Sequence, residues 1–237
     1  MRLDQQPAYV LHARPYRETS LLLECLTRDH GRLGVVARGV RGERARLRRS
    51  QLEPFQPLAL DLLLRGELAT LAGVEVVGMP PRLAGERGVA GLYLNELVVR
   101  LTARQDAQPA LFDAYAQTLA RLVGDDPPGW TLRRFERDLL EALGYGLQLR
   151  HEVDSEQPLH ALAHYRYDVE QGALRCAPGT AHALRGADLL ALADDRMPED
   201  RAGMAALRRL MREVIRYHLG GGELRAWRVL AGVPPQR

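Results

Sequence analysis

Five strand-length apolar segments lie between Pro7 and Gly78, and that crowding constrains the fold more than any other feature of the chain. PAYVLHARP, TSLLLECLT, GRLGVVARG, PLALDLLLR and ATLAGVEVV are each about as long as a typical strand, and turn chemistry divides them. Arg28-Asp29-His30-Gly31 and Arg65-Gly66-Glu67 supply the glycine that tight hairpins favour. No room is left for crossover helices, so the pattern predicts antiparallel pairing and closure into a small barrel of the OB type. Met79-Pro80-Pro81 ends the last strand, because proline donates nothing to a ladder and restricts the residue before it. The expected domains are therefore 1–79, a barrel, and 80–237, mainly helical.

Beyond Pro81 the apolar period becomes helical. GLYLNELVVRLTAR is apolar on nearly every face and predicts a buried helix, in which Glu96 needs a partner, for which a nearby arginine is expected. A second helix is expected over 108–123, and a third from an N-cap at Thr131, with an apolar stripe of Leu132, Phe135, Leu139, Leu140 and Leu143. Arg133, Arg134 and Arg137 fall off that stripe, and Gly144 ends the helix. A small irregular or β insertion near 150–178 holds two short strands about Gln171-Gly172. Helices are expected over 180–194, 201–219 and 224–231. The fold class is α+β, an N-terminal OB-type antiparallel barrel followed by a mainly α-helical domain.

Between the third and fourth strands, ARGVRGERARLRRSQLEPF sets Arg38, Arg41, Arg44, Arg46, Arg48 and Arg49 against one acid within the run, Glu43, with Glu53 following it. Guanidinium groups stay charged and present a planar fork of donors that matches phosphate oxygens, so a barrel-rim loop of this kind suits a phosphate backbone. Arg14 and Arg17, beside Tyr16 in the first turn, are placed near the same rim. The alternative is a solvated arginine-rich loop. All 33 basic residues are arginine, which weakens any inference from arginine preference at one site. With 30 acidic residues against them, attraction to nucleic acid has to come from local segregation of charge.

Other chemistry is poorly supported. Without lysine there is no Walker A motif, and neither GxGxxG nor HExxH occurs. Glu152 and Asp154 are a weak candidate pair for magnesium, with a solvated acidic loop as the expectation. His151, His160, His164 and Cys176 are a conceivable zinc set, but Pro158 and the β-like run from Tyr165 argue against a helix carrying His160 and His164. No metal or cofactor and no enzymatic activity are expected. Cys25 and Cys176 are far apart, and neither a signal peptide nor a membrane span is evident, so the expected location is cytoplasmic.

These segments together resemble the RecO family of bacterial recombination mediators. The likeness runs in order through VLHARPYRETSLLLECLTRDHGRLGVVARGVRG, LEPFQPL, GLYLNELVVRL and LRRFERDLLEALGYG to YHLGGGELRAWRVL. It implies an OB domain and a helical domain. It also implies a protein that binds single- and double-stranded DNA, anneals strands coated by single-stranded DNA-binding protein, and works with RecR and often RecF to load RecA. In some relatives the helical domain docks the acidic, phenylalanine-ended tail of single-stranded DNA-binding protein, which would fall here on Arg133, Arg134, Leu139 and Leu143. The chain departs from members with a four-cysteine zinc module, since Cys176 is its one cysteine in that region. An adaptor of the repair machinery with little DNA binding of its own is the alternative.

Overall fold

The computed structural model describes residues 1–40 and 48–232, which form two compact units. The first takes residues 1–125 and the segment from Leu224 onward, and the second takes Asp126–Glu223. Packing groups residues 82–125 with the barrel, while the change from strands to helices falls at the proline stretch.

In the first unit β1 (Arg2–Tyr16), β2 (Ser20–Thr27), β3 (Gly31–Ala37), β4 (Leu58–Arg65) and β5 (Leu68–Val76) close a barrel in the order β1-β2-β3-β5-β4. All neighbours are antiparallel except β3 and β5, which run parallel through Gly34–Leu68, Val35–Ala69 and Val36–Thr70. Short connections exclude parallel pairing only between consecutive strands. Here β4 makes the return, so β5 meets β3 in the same direction. β1 begins five residues before the expected Pro7, across a bulge at Gln5, whose φ is 51° and whose N–H donates to Asp61 at 2.9 Å. The bulge breaks the alternation that marks a strand in sequence. At Gly31 (φ 64°) a Cβ would lie 1.9 Å from the Asp106 carbonyl oxygen, so this hairpin turn excludes any side chain.

The barrel interior is filled by Val10, Leu23, Leu33, Val35, Leu60 and Leu62 among others. The strands are apolar on the outer side too, because α1 (Gly85–Leu101) and α2 (Pro109–Val123) cover part of it. Tyr9 of β1 packs against Phe112 and Tyr115 of α2, with ring centroids 5.3 and 5.0 Å away. Buried Asn95 of α1 donates to the Leu11 carbonyl at 2.8 Å and accepts from the Tyr115 hydroxyl at 2.6 Å. A buried amide so satisfied ties helix to barrel.

In the second unit β6 (His164–Asp168), β7 (Gly172–Cys176) and β8 (Leu184–Arg185) form a sheet in the order β7-β6-β8. Around it lie α3 (Pro128–Ala142), α4 (Gly186–Ala193) and α5 (Arg201–His218). The core joins Trp130, Leu140, Tyr165, Leu189, Leu207 and Met211. Two expectations are corrected. α3 starts at Pro128, where a missing N–H costs nothing, and Thr131 is buried inside the helix with its hydroxyl unpaired among the described residues. The helix expected from 180 begins only at Gly186, since Leu184 and Arg185 are drawn into the sheet opposite Tyr165 and His164. α6 (Arg225–Gly232) belongs to the first unit.

Candidate nucleic-acid interface

Three connections bring guanidinium groups to one groove of about 810 Å³ on the barrel. The β1–β2 turn supplies Tyr16 and Arg17, where Arg17 adopts φ 54° and stacks its guanidinium 5.2 Å from the Tyr16 ring centroid. The chain leaving β3 supplies Arg38. It is tied to that turn because Val40 donates its N–H to the Thr19 carbonyl at 2.9 Å. The β4–β5 hairpin, turning at Gly66 with φ 73°, supplies Arg65. Val36, Leu63 and Leu68 are the aliphatic side chains of the lining, and Glu18 is the one acid on it.

Arg17, Arg38 and Arg65 are exposed, and among the described residues none is in an ion pair. An arginine without a carboxylate neighbour keeps its full charge and all its donors for an incoming anion. Of the arginines singled out in sequence, Arg17 and Arg38 thus meet at one groove. Arg14 is exposed on β1 opposite Leu22 but does not line it. Arg48 and Arg49 are exposed at a 3-10 turn, Arg49 lying 3.9 Å from Glu53. Arg41, Arg44 and Arg46 lie outside the described residues. Arg65 was missed because Arg65-Gly66-Glu67 reads as a hairpin turn. The signal available was that the same hairpin carries its charge to the barrel rim.

The α3 residues are arranged differently from the open leucine groove expected. Leu139 is fully buried and Leu143 half-buried, because the stripe faces the core of its unit. Arg133 is buried and gripped in a bidentate pair by Glu136, itself inaccessible to solvent. Arg134 pairs with Asp126 at 3.3 Å and with Asp195. Arg137 pairs with Asp138 and Asp195 and donates to the Leu192 carbonyl at 2.6 Å. Of these residues Arg134, Arg137 and Leu143 retain partial exposure.

Other candidate chemistry resolves into structure. Buried Glu152 accepts from the Ser155 hydroxyl at 2.8 Å and the Tyr165 hydroxyl at 2.9 Å, with Arg175 at 3.4 Å. The Ser155 bond above all, then Tyr165 and the Arg175 charge, hold its carboxyl below the ordinary range against the opposing effect of burial. Among the described residues Glu96 is in no ion pair with an arginine side chain. It accepts instead from the backbone N–H groups of Arg225 and Ala226. His160 sits in a turn and His164 opens β6, and among the described residues no three His, Cys, Asp or Glu side chains are placed to hold a metal ion. Burial pushes the Cys25 thiol up, which suppresses its reactivity. Among the described residues no helix is long and apolar enough to cross a membrane.

Comparison with known proteins gives matches along the whole chain. Residues 1–80 match the family described as Recombination protein O N terminal, and residues 82–228 match Recombination protein O C terminal. The chain is 44% identical over 242 residues to a protein named DNA repair protein RecO from Xanthomonas euvesicatoria, covering all of both chains. It is 45% identical over 241 residues to the protein of that name from Stenotrophomonas maltophilia strain R551-3, again in full. A relative from Xanthomonas campestris is 45% identical over 97% of each chain.

Proposed function

The chain belongs to the RecO family of DNA repair proteins, and from that premise we propose that it is a non-enzymatic recombination mediator that binds and anneals DNA strands. In this reading it acts with RecR, and with RecF where present, to load RecA onto DNA coated by single-stranded DNA-binding protein. The observation that carries the DNA-binding part is the convergence of Arg17, Arg38 and Arg65, without carboxylate partners among the described residues, on one barrel groove. The chemistry suits single and double strands alike, because a phosphate backbone is common to both. Neutralising phosphates also lowers the repulsion between two complementary strands, which is what annealing requires.

The acidic tail of single-stranded DNA-binding protein is proposed to meet α3 at Arg134 and Leu143, with Arg133 and Leu139 shaping that surface from within. Titration of single-stranded DNA at several salt concentrations tests the mediator reading. Three phosphate contacts give a slope of log affinity against log salt of about −2 from these residues alone. A protein that binds no DNA at low salt would sink the reading and leave a protein adaptor in its place.

A further inference from the structure

The sequence period predicts α1 as a helix buried on nearly every side, and one face departs from that. Leu92, Glu96, Val99 and Arg100 recur at three- and four-residue intervals, hence on one side of the helix, and none of the four is buried. Leu92 is 54% exposed, whereas Tyr93, Leu94, Leu97 and Val98 on the other sides are almost inaccessible. Beside this face β1 contributes Leu11 and His12, and α6 contributes Arg225. Together they line a groove of about 420 Å³ within the first unit.

The acids of this groove are already engaged. Glu24 holds Arg32 at 2.8 Å and also pairs with Arg104. Glu96 is committed to the backbone N–H groups of Arg225 and Ala226. The arginines are not engaged in that way: Arg100 and Arg225 are exposed, and among the described residues neither is in an ion pair. The helix dipole accounts for Arg100, in the last turn of α1, but opposes Arg225, the first residue of α6. The groove therefore offers aliphatic surface from Leu92 and Val99 and, beside it, two guanidinium groups with donors to spare.

We infer that this groove docks an acidic segment of a partner protein, whose one large apolar side chain enters against Leu92 and Val99 while neighbouring carboxylates meet Arg100 and Arg225. The rise from Leu92 to Arg100 is about 12 Å at 1.5 Å per residue, the reach of about four residues of extended chain. Anchor and acids must therefore be close neighbours in the partner. A nucleic-acid strand is the competing occupant, but no Tyr, Phe or Trp lines the groove for a base to stack on, and a phosphate gains nothing from aliphatic surface. Residues 41–47 and 233–237 of this chain do not complement it, since each segment holds more arginine than acid. The groove shares no residue with the arginine groove of the barrel, so the two can be varied independently.

The test uses the full chain and a fluorescent peptide of about seven residues, Asp and Glu around one central leucine, with both ends blocked. Leu92→Ala trims an exposed side chain and keeps the fold, and with a leucine-to-alanine change in the peptide it forms a double-mutant cycle. Each change alone should weaken binding about tenfold at low salt, and both together should cost little more than one, because they remove the same contact. Arg100→Gln with Arg225→Gln should weaken binding about tenfold and flatten its salt dependence, and lysine at both positions should restore it. No binding to the parent, or protein and peptide changes that simply add, overturns the proposal. Loss of binding in Arg134→Glu with none in Leu92→Ala moves the site to α3 and overturns it as well. The readout contains no DNA, so a failure here leaves the mediator reading standing, and a chain that binds the peptide but no DNA fails that reading alone.

Discussion

The Glu96 carboxylate caps α6 from α1: it accepts the backbone N–H of Arg225 at 2.8 Å, and that of Ala226 at the same distance. The first N–H groups of a helix have no partner within it, and a negative charge there also meets the positive end of the helix dipole. This contact helps bring the segment from Leu224 back to the barrel's unit, across a separation of 129 residues. Glu96→Ala should lower stability by about 1–2 kcal/mol, and Glu96→Gln by less, since an amide oxygen still accepts. Thermal unfolding together with proteolytic cleavage near Leu224 reports it. An unchanged midpoint and cleavage rate in Glu96→Ala would show that packing alone holds α6.

Reversing Arg17, Arg38 and Arg65 to glutamate should weaken single-strand affinity at least about tenfold at low salt and flatten the salt slope by about 2. All three are exposed, so the unfolding free energy should change by only about 0.5 kcal/mol. Reversal of Arg44, Arg46 and Arg48 should add to the loss. Unaltered binding by a variant with a native circular dichroism spectrum would place the DNA site elsewhere.

Arg133 and Glu136 should behave as structural residues first. Glu136→Ala removes the carboxylate paired with a buried guanidinium and should cost about 3–5 kcal/mol in denaturant unfolding. Arg134 is therefore the cleaner probe of tail docking. Arg134→Glu should reduce anisotropy-detected binding of an acidic, phenylalanine-ended peptide and leave the same peptide without its phenylalanine weakly bound as before. Equal binding of both peptides to the parent would remove α3 as the docking site.

Acid should loosen the second unit through Glu152. Its folded carboxyl titrates below the ordinary range, so the folded state binds fewer protons there than the unfolded state. The resulting stability is fully present above the ordinary glutamate range and is lost as pH falls through the lower folded value. Tyr165→Phe removes one donor to Glu152, and Ser155→Ala the one with the largest effect. Both should shrink the pH dependence of the unfolding midpoint on the acid side. A double variant whose acid limb matches that of the parent would exclude Glu152 as its source.

What the sequence by itself determined is local. Strand-length apolar runs divided by glycine turns predict five strands in a closed barrel, and the change of period after Met79-Pro80-Pro81 predicts helices, because backbone sterics and burial of one face act within a few residues. The arginine-rich stretch was visible for the same reason, although Arg41, Arg44 and Arg46 lie outside the described residues. The tertiary structure alone decided which charges are neutralised. Arg134 sits beside Asp195, 61 residues further on, while Arg17, Arg38 and Arg65 meet from three separate connections and are in no ion pair among the described residues. It also decided that Glu96 caps a helix and that β3 runs parallel to β5. An ion pair, a cap or a non-consecutive strand pairing depends on residues far apart in the chain, and spacing along the sequence carries no record of that distance in space.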